Sequence, residues 1–202
     1  LHRQVRAEHR RKALAPARLP VGVLSVDGKT QAVLDVPVNR FCQRQSGEGA
    51  ERERYVHRVL NATLVSAAAA VCIHQRPIPA ETNETGFFAE FFDELRAAYA
   101  RADLFEVVMT DAGVLCAAHC RKLDDLGYGY VLALKNRPDL EREARAVFAT
   151  ATAAPPEVES AWEIDSSRGW VKRQLWTTSA MAGWPGWEHL RQVWLVRVLA
   201  RD

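Results

Sequence analysis

Two stretches of this sequence end an apolar run in an aspartate: Ser25-Val26-Asp27-Gly28-Lys29 and Val108-Met109-Thr110-Asp111-Ala112. Brought to one end of a sheet, two such carboxylates can share a pair of divalent cations about 3.5–4 Å apart. That arrangement activates water and stabilises the leaving oxygen in phosphodiester cleavage. Mg2+, or Mn2+ in its place, suits an all-oxygen shell that keeps some of its waters. Gly28 and Ala112 follow the two acids and leave room for metal and for a nucleic-acid backbone. A lone aspartate after a strand is most often a turn former or a helix cap. The pair, on neighbouring strands, is what would carry chemistry. Lys29 and Lys135 lie at or near strand ends on the same expected edge, where an ammonium can meet a phosphate. Their plainer reading is as solvated lysines.

Other residues invite a function and have a simpler account. Cys116-Ala-Ala-His119-Cys120 places i, i+3 and i+4 on one helix face, as a metal site would. A zinc site needs a fourth ligand, and no second Cys/His cluster supplies one, so small buried residues on a sheet-facing helix explain it better. Thr82 or Asn83 can cap a following helix, with Glu84 favouring its positive end; this role is preferred to a substrate contact. The aromatic set from Phe87 to Phe92 has helical spacing and reads as core. The C-terminal tryptophans could stack on bases or pack a small β unit.

The elements that must position the two acids follow from periodicity. Residues 5–14 read as a short basic helix closed by Pro16 and Pro20. Val21 to Val26 is a strand ending at Asp27, and residues 39–54, rich in polar residues and glycine, read as a surface loop. Val56–Val65 and Ala67–Gln75 continue as a meander stopped by Pro77 and Pro79. From Asn83 to Tyr99 the apolar spacing turns helical. A strand over 104–110, a helix over 114–126 with Gly127 as its C-cap, a strand over 128–135 and a helix over 139–148 complete the series. Beyond a linker at 149–156, Val158–Asp165, Trp170–Thr178 and Val193–Leu199 resemble strands among Gly- and Trp-rich turns.

Three early strands joined by short connections should be antiparallel, and strands separated by helices need parallel crossovers. That order predicts an α/β, ribonuclease-H-like fold: a mixed five-stranded sheet with helices, plus a small β-rich insertion near the C-terminus. Its first and fourth strands are neighbours, which would bring Asp27 and Asp111 together. The expected division is a basic arm over 1–20, a core over 21–149 and the β-rich region over 150–202.

The chain has 202 residues, 48% hydrophobic and 26% charged, a balance that excludes disordered and fibrous classes. Four cysteines are too few for a disulfide scaffold and favour a reducing setting. No apolar stretch is long enough to span a bilayer. The net charge of +2 hides an asymmetry: residues 1–20 hold Arg3, Arg6, Arg10, Arg11, Lys12 and Arg18 against Glu8 alone. Such an arm, with Arg10, Arg11 and Lys12 at its centre, suits phosphate binding, against the alternative of a helix with solvated arginines.

At these residues the sequence resembles a family. Val23-Leu-Ser-Val-Asp-Gly-Lys-Thr30 resembles the Ile-Asp-Gly-Lys-Thr block of bacterial insertion-sequence transposases of the DDE type, in particular the H-repeat-associated group. Ala80-Glu-Thr-Asn-Glu84 is similar to that group's Lys-Thr-Asn-Glu segment, and Val107 to Ala112 to its second-aspartate block. Tyr128-Gly-Tyr-Val-Leu-Ala-Leu-Lys-Asn136 with Pro138 is similar to its Tyr-Val-Leu-Ala-Leu-Lys strand. The four blocks occur in the family's order over roughly residues 21–140.

The resemblance implies a DNA transposase that cuts phosphodiester bonds by metal-dependent hydrolysis and then performs strand transfer. Asp27 and Asp111 would be the first two acids of the triad and would hold Mg2+ or Mn2+. Double-stranded DNA, at element ends and target, would be the partner. A homodimer is compatible with this, a membrane partner is not expected, and the implied setting is a bacterial cytoplasm and its nucleoid. The family's third acid, a helical Glu in a His-Trp-x-Ile-Glu-Asn-like block, has no match; Trp187-Glu188-His189 has the letters in the wrong order. The expectation is therefore a fragment truncated at both ends and catalytically incomplete alone. The alternatives are a non-catalytic DNA-binding remnant and a ribonuclease-H-like nuclease unrelated to transposition.

Overall fold

The computed structural model describes all residues except 46–52, 101, 112, 115, 135–137 and 202. The chain divides into two compact units, Leu1–Ala133 and Leu134–Asp202.

In the first unit the elements are α1 (His2–Arg10), β1 (Val23–Leu34), β2 (Cys42–Gln45), β3 (Arg54–Leu64), β4 (Val71–Pro77), α2 (Glu84–Tyr99), β5 (Val107–Thr110), α3 (Ala117–Asp125) and β6 (Gly129–Leu132). They build a mixed sheet in the order β2-β3-β1-β5-β6, with β4 also on β3. The β1–β3, β2–β3 and β3–β4 pairs are antiparallel; β1–β5 and β5–β6 are parallel. The short early connections and the helical later ones thus do what their lengths require.

Several expectations are corrected. The sheet has six strands rather than five, because Cys42–Gln45, inside the segment read as a loop, pairs with Arg54–His57. Polar composition hid this edge strand, where backbone pairing outweighs weak side-chain propensity. β1 does not stop at Asp27 but runs to Leu34, since β3 continues as its partner as far as Tyr55. The first helix spans His2–Arg10 rather than 5–14 and ends before Lys12, whose φ of 61° is left-handed.

The core of this unit lies between α2 and one sheet face. Phe87, Phe88, Phe91, Phe92, Leu95 and Tyr99 of α2 are buried, as their spacing predicted. They face Leu24 and Val26 of β1, Leu60, Ala62 and Leu64 of β3, and Val108 of β5, all fully buried. Phe88 and Phe92 stack with ring centroids 5.6 Å apart. Asn83 caps α2, its Oδ1 accepting the Gly86 N–H at 2.8 Å. Gly127, at φ 81°, closes α3 in the left-handed conformation that glycine reaches without a Cβ penalty. α1 is seated on this unit by buried Val5, with the chain after it held by buried Leu14, and by His2, whose Nε2 lies 2.9 Å from His74 Nδ1 of β4.

The second unit holds α4 (Pro138–Ala151), β7 (Val158–Glu159), β8 (Glu163–Asp165), β9 (Gly169–Thr178) and β10 (Val193–Arg201). Its antiparallel sheet is ordered β10-β9-β7, with β8 also on β9. The segment 158–165, read as one strand, is two short ones separated by 160–162. Helix α4 belongs here rather than with the sheet of the first unit, because Leu140 and Ala144 form a core with Met181. No described helix is long and apolar enough to cross a membrane.

Candidate functional site

The two aspartates reach the same sheet end by strand register. β1 and β5 run parallel with Val23 opposite Val107 and Val26 opposite Thr110. The next residue on each is Asp27 and Asp111. Neighbouring strands lie about 4.8 Å apart, so Asp111, just past the end of β5, stands beside Asp27 within β1. Val26 and Thr110 are buried, whereas Asp27 is half-buried and Asp111 exposed. Asp111 is fixed by a tight turn in which its Oδ1 accepts the Gly113 N–H at 2.9 Å.

A third carboxylate lies nearby, over the residue that follows Asp27. Glu84, the first residue of α2, lies over Gly28: a Cβ built on Gly28 would stand 2.0 Å from Glu84 Oε1. Gly28 is thus small for a reason beyond leaving space for a ligand. A Cβ on Gly113 would lie 3.4 Å from Asp111 Oδ1 and 3.8 Å from Glu84 Oε2, so these two oxygens are no farther apart than the sum of those distances. The Thr85 hydroxyl donates to the Gly113 carbonyl at 2.5 Å, tying the start of α2 to the loop that carries Asp111. On the other side, Gln43 of β2 donates to the carbonyls of Thr82 at 2.8 Å and Pro79 at 3.2 Å, steadying the approach to α2.

The electrostatics agree with this grouping. Burial pushes the Glu84 carboxyl above its ordinary range; Arg58 pulls it down, and Asp111 and Asp27 push it further up. Asn61, the cross-strand partner of Asp27, adds a buried Oδ1 with no hydrogen-bond partner. Among the described residues, no three or more His, Cys, Asp or Glu side chains are drawn together closely enough to hold a metal ion as they stand.

The remaining expected residues divide. Lys29 is exposed on β1, two positions from Asp27 and so on the same face of the strand. Lys135 lies outside the described residues. Arg10, the last residue of α1, and Arg11 and Lys12 after it are exposed, and Arg11 pairs with Glu8 at 3.1 Å. Cys120 and half-buried His119 pack on α3, with His119 ring-to-ring against Phe88 at 4.9 Å, as the core reading expects. Two residues gained a place at the site that sequence reasoning did not assign. In the sequence Glu84 is accounted for as a charge favouring a helix end, and Arg58 carries no signal beyond lying in a strand.

No family model, curated protein or solved structure matches this chain.

Proposed function

We propose that this chain is the central portion of a DDE-type insertion-sequence transposase, with a ribonuclease-H-like core in its first unit. The observation that carries the reading is the in-register parallel pairing of β1 and β5, which sets Asp27 and Asp111 side by side. The strand order, with an antiparallel β1–β3–β4 meander and β5 and β6 parallel to β1, supports the fold assignment. The four ordered sequence blocks support the family.

The donor set is all oxygen and suits Mg2+ or Mn2+. Asp27, Asp111 and Glu84, not drawn together as they stand, would have to close on the metal to hold it, and when bound it would supply activated water and charge stabilisation at the leaving oxygen. Asp27 would orient the site from within β1 and Asp111 from just past the end of β5. Glu84, held close by the missing side chain at Gly28, brings a third acid from within the same unit. Lys29 and Arg58 offer cations for DNA phosphates at the site, and Arg10, Arg11 and Lys12 offer more along the N-terminal segment. Full transposition by this chain alone is not expected, because none of its residues matches the family's own glutamate block.

A ribonuclease-H-like nuclease is the second reading, favoured by Glu84, which adds a third carboxylate without any further helix. The test is incubation with Mg2+ and end-labelled DNA that either carries or lacks element ends. Transposase ancestry predicts binding that prefers element ends and depends on divalent metal, lost in Asp27→Asn and Asp111→Asn. Cutting of DNA or RNA without end preference, abolished by the same substitutions and by Glu84→Gln, selects the nuclease. Metal binding that survives Asp27→Asn and Asp111→Asn together overturns both.

A further inference from the structure

The second unit carries an arrangement that the carboxylate site does not use. In an antiparallel ladder, residues directly opposite share a face. β9 and β10 pair with Trp170 opposite Arg201, Lys172 opposite Leu199, Gln174 opposite Arg197 and Trp176 opposite Leu195, so all of these occupy one face. Ile164 of β8, opposite Trp170, joins them. On this face the Arg201 guanidinium lies 4.5 Å from the Trp162 ring centroid and 5.6 Å from that of Trp170. Arg197 lies 4.9 Å from that of Trp176. The end of the face near Trp170 is open: Trp170 is 42% exposed and Ile164 74%.

Charge pairing on this sheet is uneven. Arg173, on the opposite face, is paired to Glu163 and to Asp165. Glu159, the acid that shares the tryptophan face, is taken up by Lys172 and Gln174. Arg197 and Arg201 have no carboxylate partner among the described residues. Each sits over indole, Arg197 over Trp176 and Arg201 over Trp162 and Trp170, in a cation–π contact. Four residues along a strand separate these two arginines by roughly 13 Å. Trp176 is buried, Trp162 half-buried and Trp170 exposed; uncompensated cations beside accessible indole are the chemistry that recognises a polyanion with flat, unstacked groups.

We propose that this face, built on Trp162, Trp170, Arg197 and Arg201, binds single-stranded nucleic acid, the indoles stacking on unpaired bases and the arginines meeting phosphates. The inference stands on the second unit and does not depend on the carboxylate reading. A duplex keeps its bases stacked inside and cannot offer them to the indoles, so the surface selects unpaired nucleotides over paired ones.

The experiment titrates the full chain with a fluorescent oligothymidylate and with a duplex of equal length, both in EDTA so that the carboxylate site is silent. The single strand should bind at least about tenfold more tightly than the duplex, and should quench the intrinsic tryptophan emission. Trp170→Ala and Trp162→Ala should each weaken binding about fivefold or more, within the range for loss of one stacked base. Arg197→Gln and Arg201→Gln should each lower the slope of log affinity against log salt by about 0.7. Arg142→Gln, which removes an exposed arginine of α4, should change neither stacking nor quenching. If Trp170→Ala fails to fold, Trp170→Phe, which keeps a ring of smaller area, should bind with intermediate affinity. Equal affinity for single strand and duplex overturns the proposal, as does unchanged binding in folded Trp170 and Arg201 variants. A β10-mediated dimer that binds no oligonucleotide overturns it too.

Discussion

Gly28→Ala isolates the contribution of Glu84 without touching a carboxylate. A Cβ at position 28 would stand 2.0 Å from Glu84 Oε1, 2.2 Å from its Cδ and 2.7 Å from its Cγ. Contact between heavy atoms is comfortable near 3.5–4.0 Å, so the carboxylate must withdraw by on the order of 1.5–2 Å. The obstacle is the far end of a flexible side chain, and the Gly28 backbone is ordinary strand, outside the left-handed region. The alanine should therefore fold at least as well as the parent, with up to about 0.4–1 kcal/mol gained from a less flexible unfolded chain. Metal affinity should move the other way. Displacing a group that tunes or completes a metal site costs ~10–100-fold. Mn2+ binding followed by electron paramagnetic resonance, beside thermal melting, separates the two effects. A double-mutant cycle with Glu84→Gln adds the decisive comparison: if Glu84 is what alanine displaces, the double variant binds no more weakly than Glu84→Gln alone. Parental Mn2+ affinity in a Gly28→Ala protein that melts at or above the parental temperature would refute the placement of Glu84 in the site.

Three further outcomes follow from the packing and the charges. The Glu84 carboxyl titrates above its unfolded value, so the folded state binds the extra proton and the parent loses stability as pH rises through that interval. Glu84→Gln has no such loss, and its melting-temperature advantage should grow from about pH 4.3 upward and then level off; an advantage that shrinks with pH would contradict the burial that, ahead of the two aspartates, raises this carboxyl. His74 behaves oppositely. Burial first, then His2 and Arg76, hold its pKa below the ordinary value, against Glu94, whose Oε2 lies 3.5 Å from Nε2. The parent should lose stability as pH falls below about 6.5, and hydrogen exchange in α1 should quicken there, an effect reduced in His74→Leu, where only His2, lowered chiefly by burial, still contributes. Phe88→Ala removes a fully buried ring stacked on Phe92 and should cost about 3–5 kcal/mol by urea unfolding.

The large features of the fold were legible because they rest on periodicity. The α2 helix announces itself by Phe87, Phe88, Phe91, Phe92, Leu95 and Tyr99, and those residues are buried. Asn83 was readable as a cap because Asn, Thr and Glu preceding an apolar run satisfy a helix start. The edge strand Cys42–Gln45 was not legible: a strand paired by its backbone on a sheet rim needs no apolar alternation, and Gln43 spends its side chain on the loop before α2. Nor was the length of β1, since Lys29, Thr30 and Gln31 are polar and only the hairpin partner β3 keeps them extended. The assignment of α4 depended on where Leu140 and Ala144 find apolar partners, which local pattern does not state.

The candidate site divides the same way. Asp27 and Asp111 stood out by their position after apolar runs, and the order of strands and helices was enough to place them on adjacent parallel strands. Glu84 and Arg58 were decided only by tertiary structure. Glu84 begins a helix, where a carboxylate has a sufficient local reason to be, and nothing in its neighbours says that α2 sets it above Gly28. Local chemistry is written in adjacent residues and can be read from them. Which distant charges come to share a small volume depends on strand register and on the angle at which a helix crosses a sheet, and those are properties of the packed core as a whole.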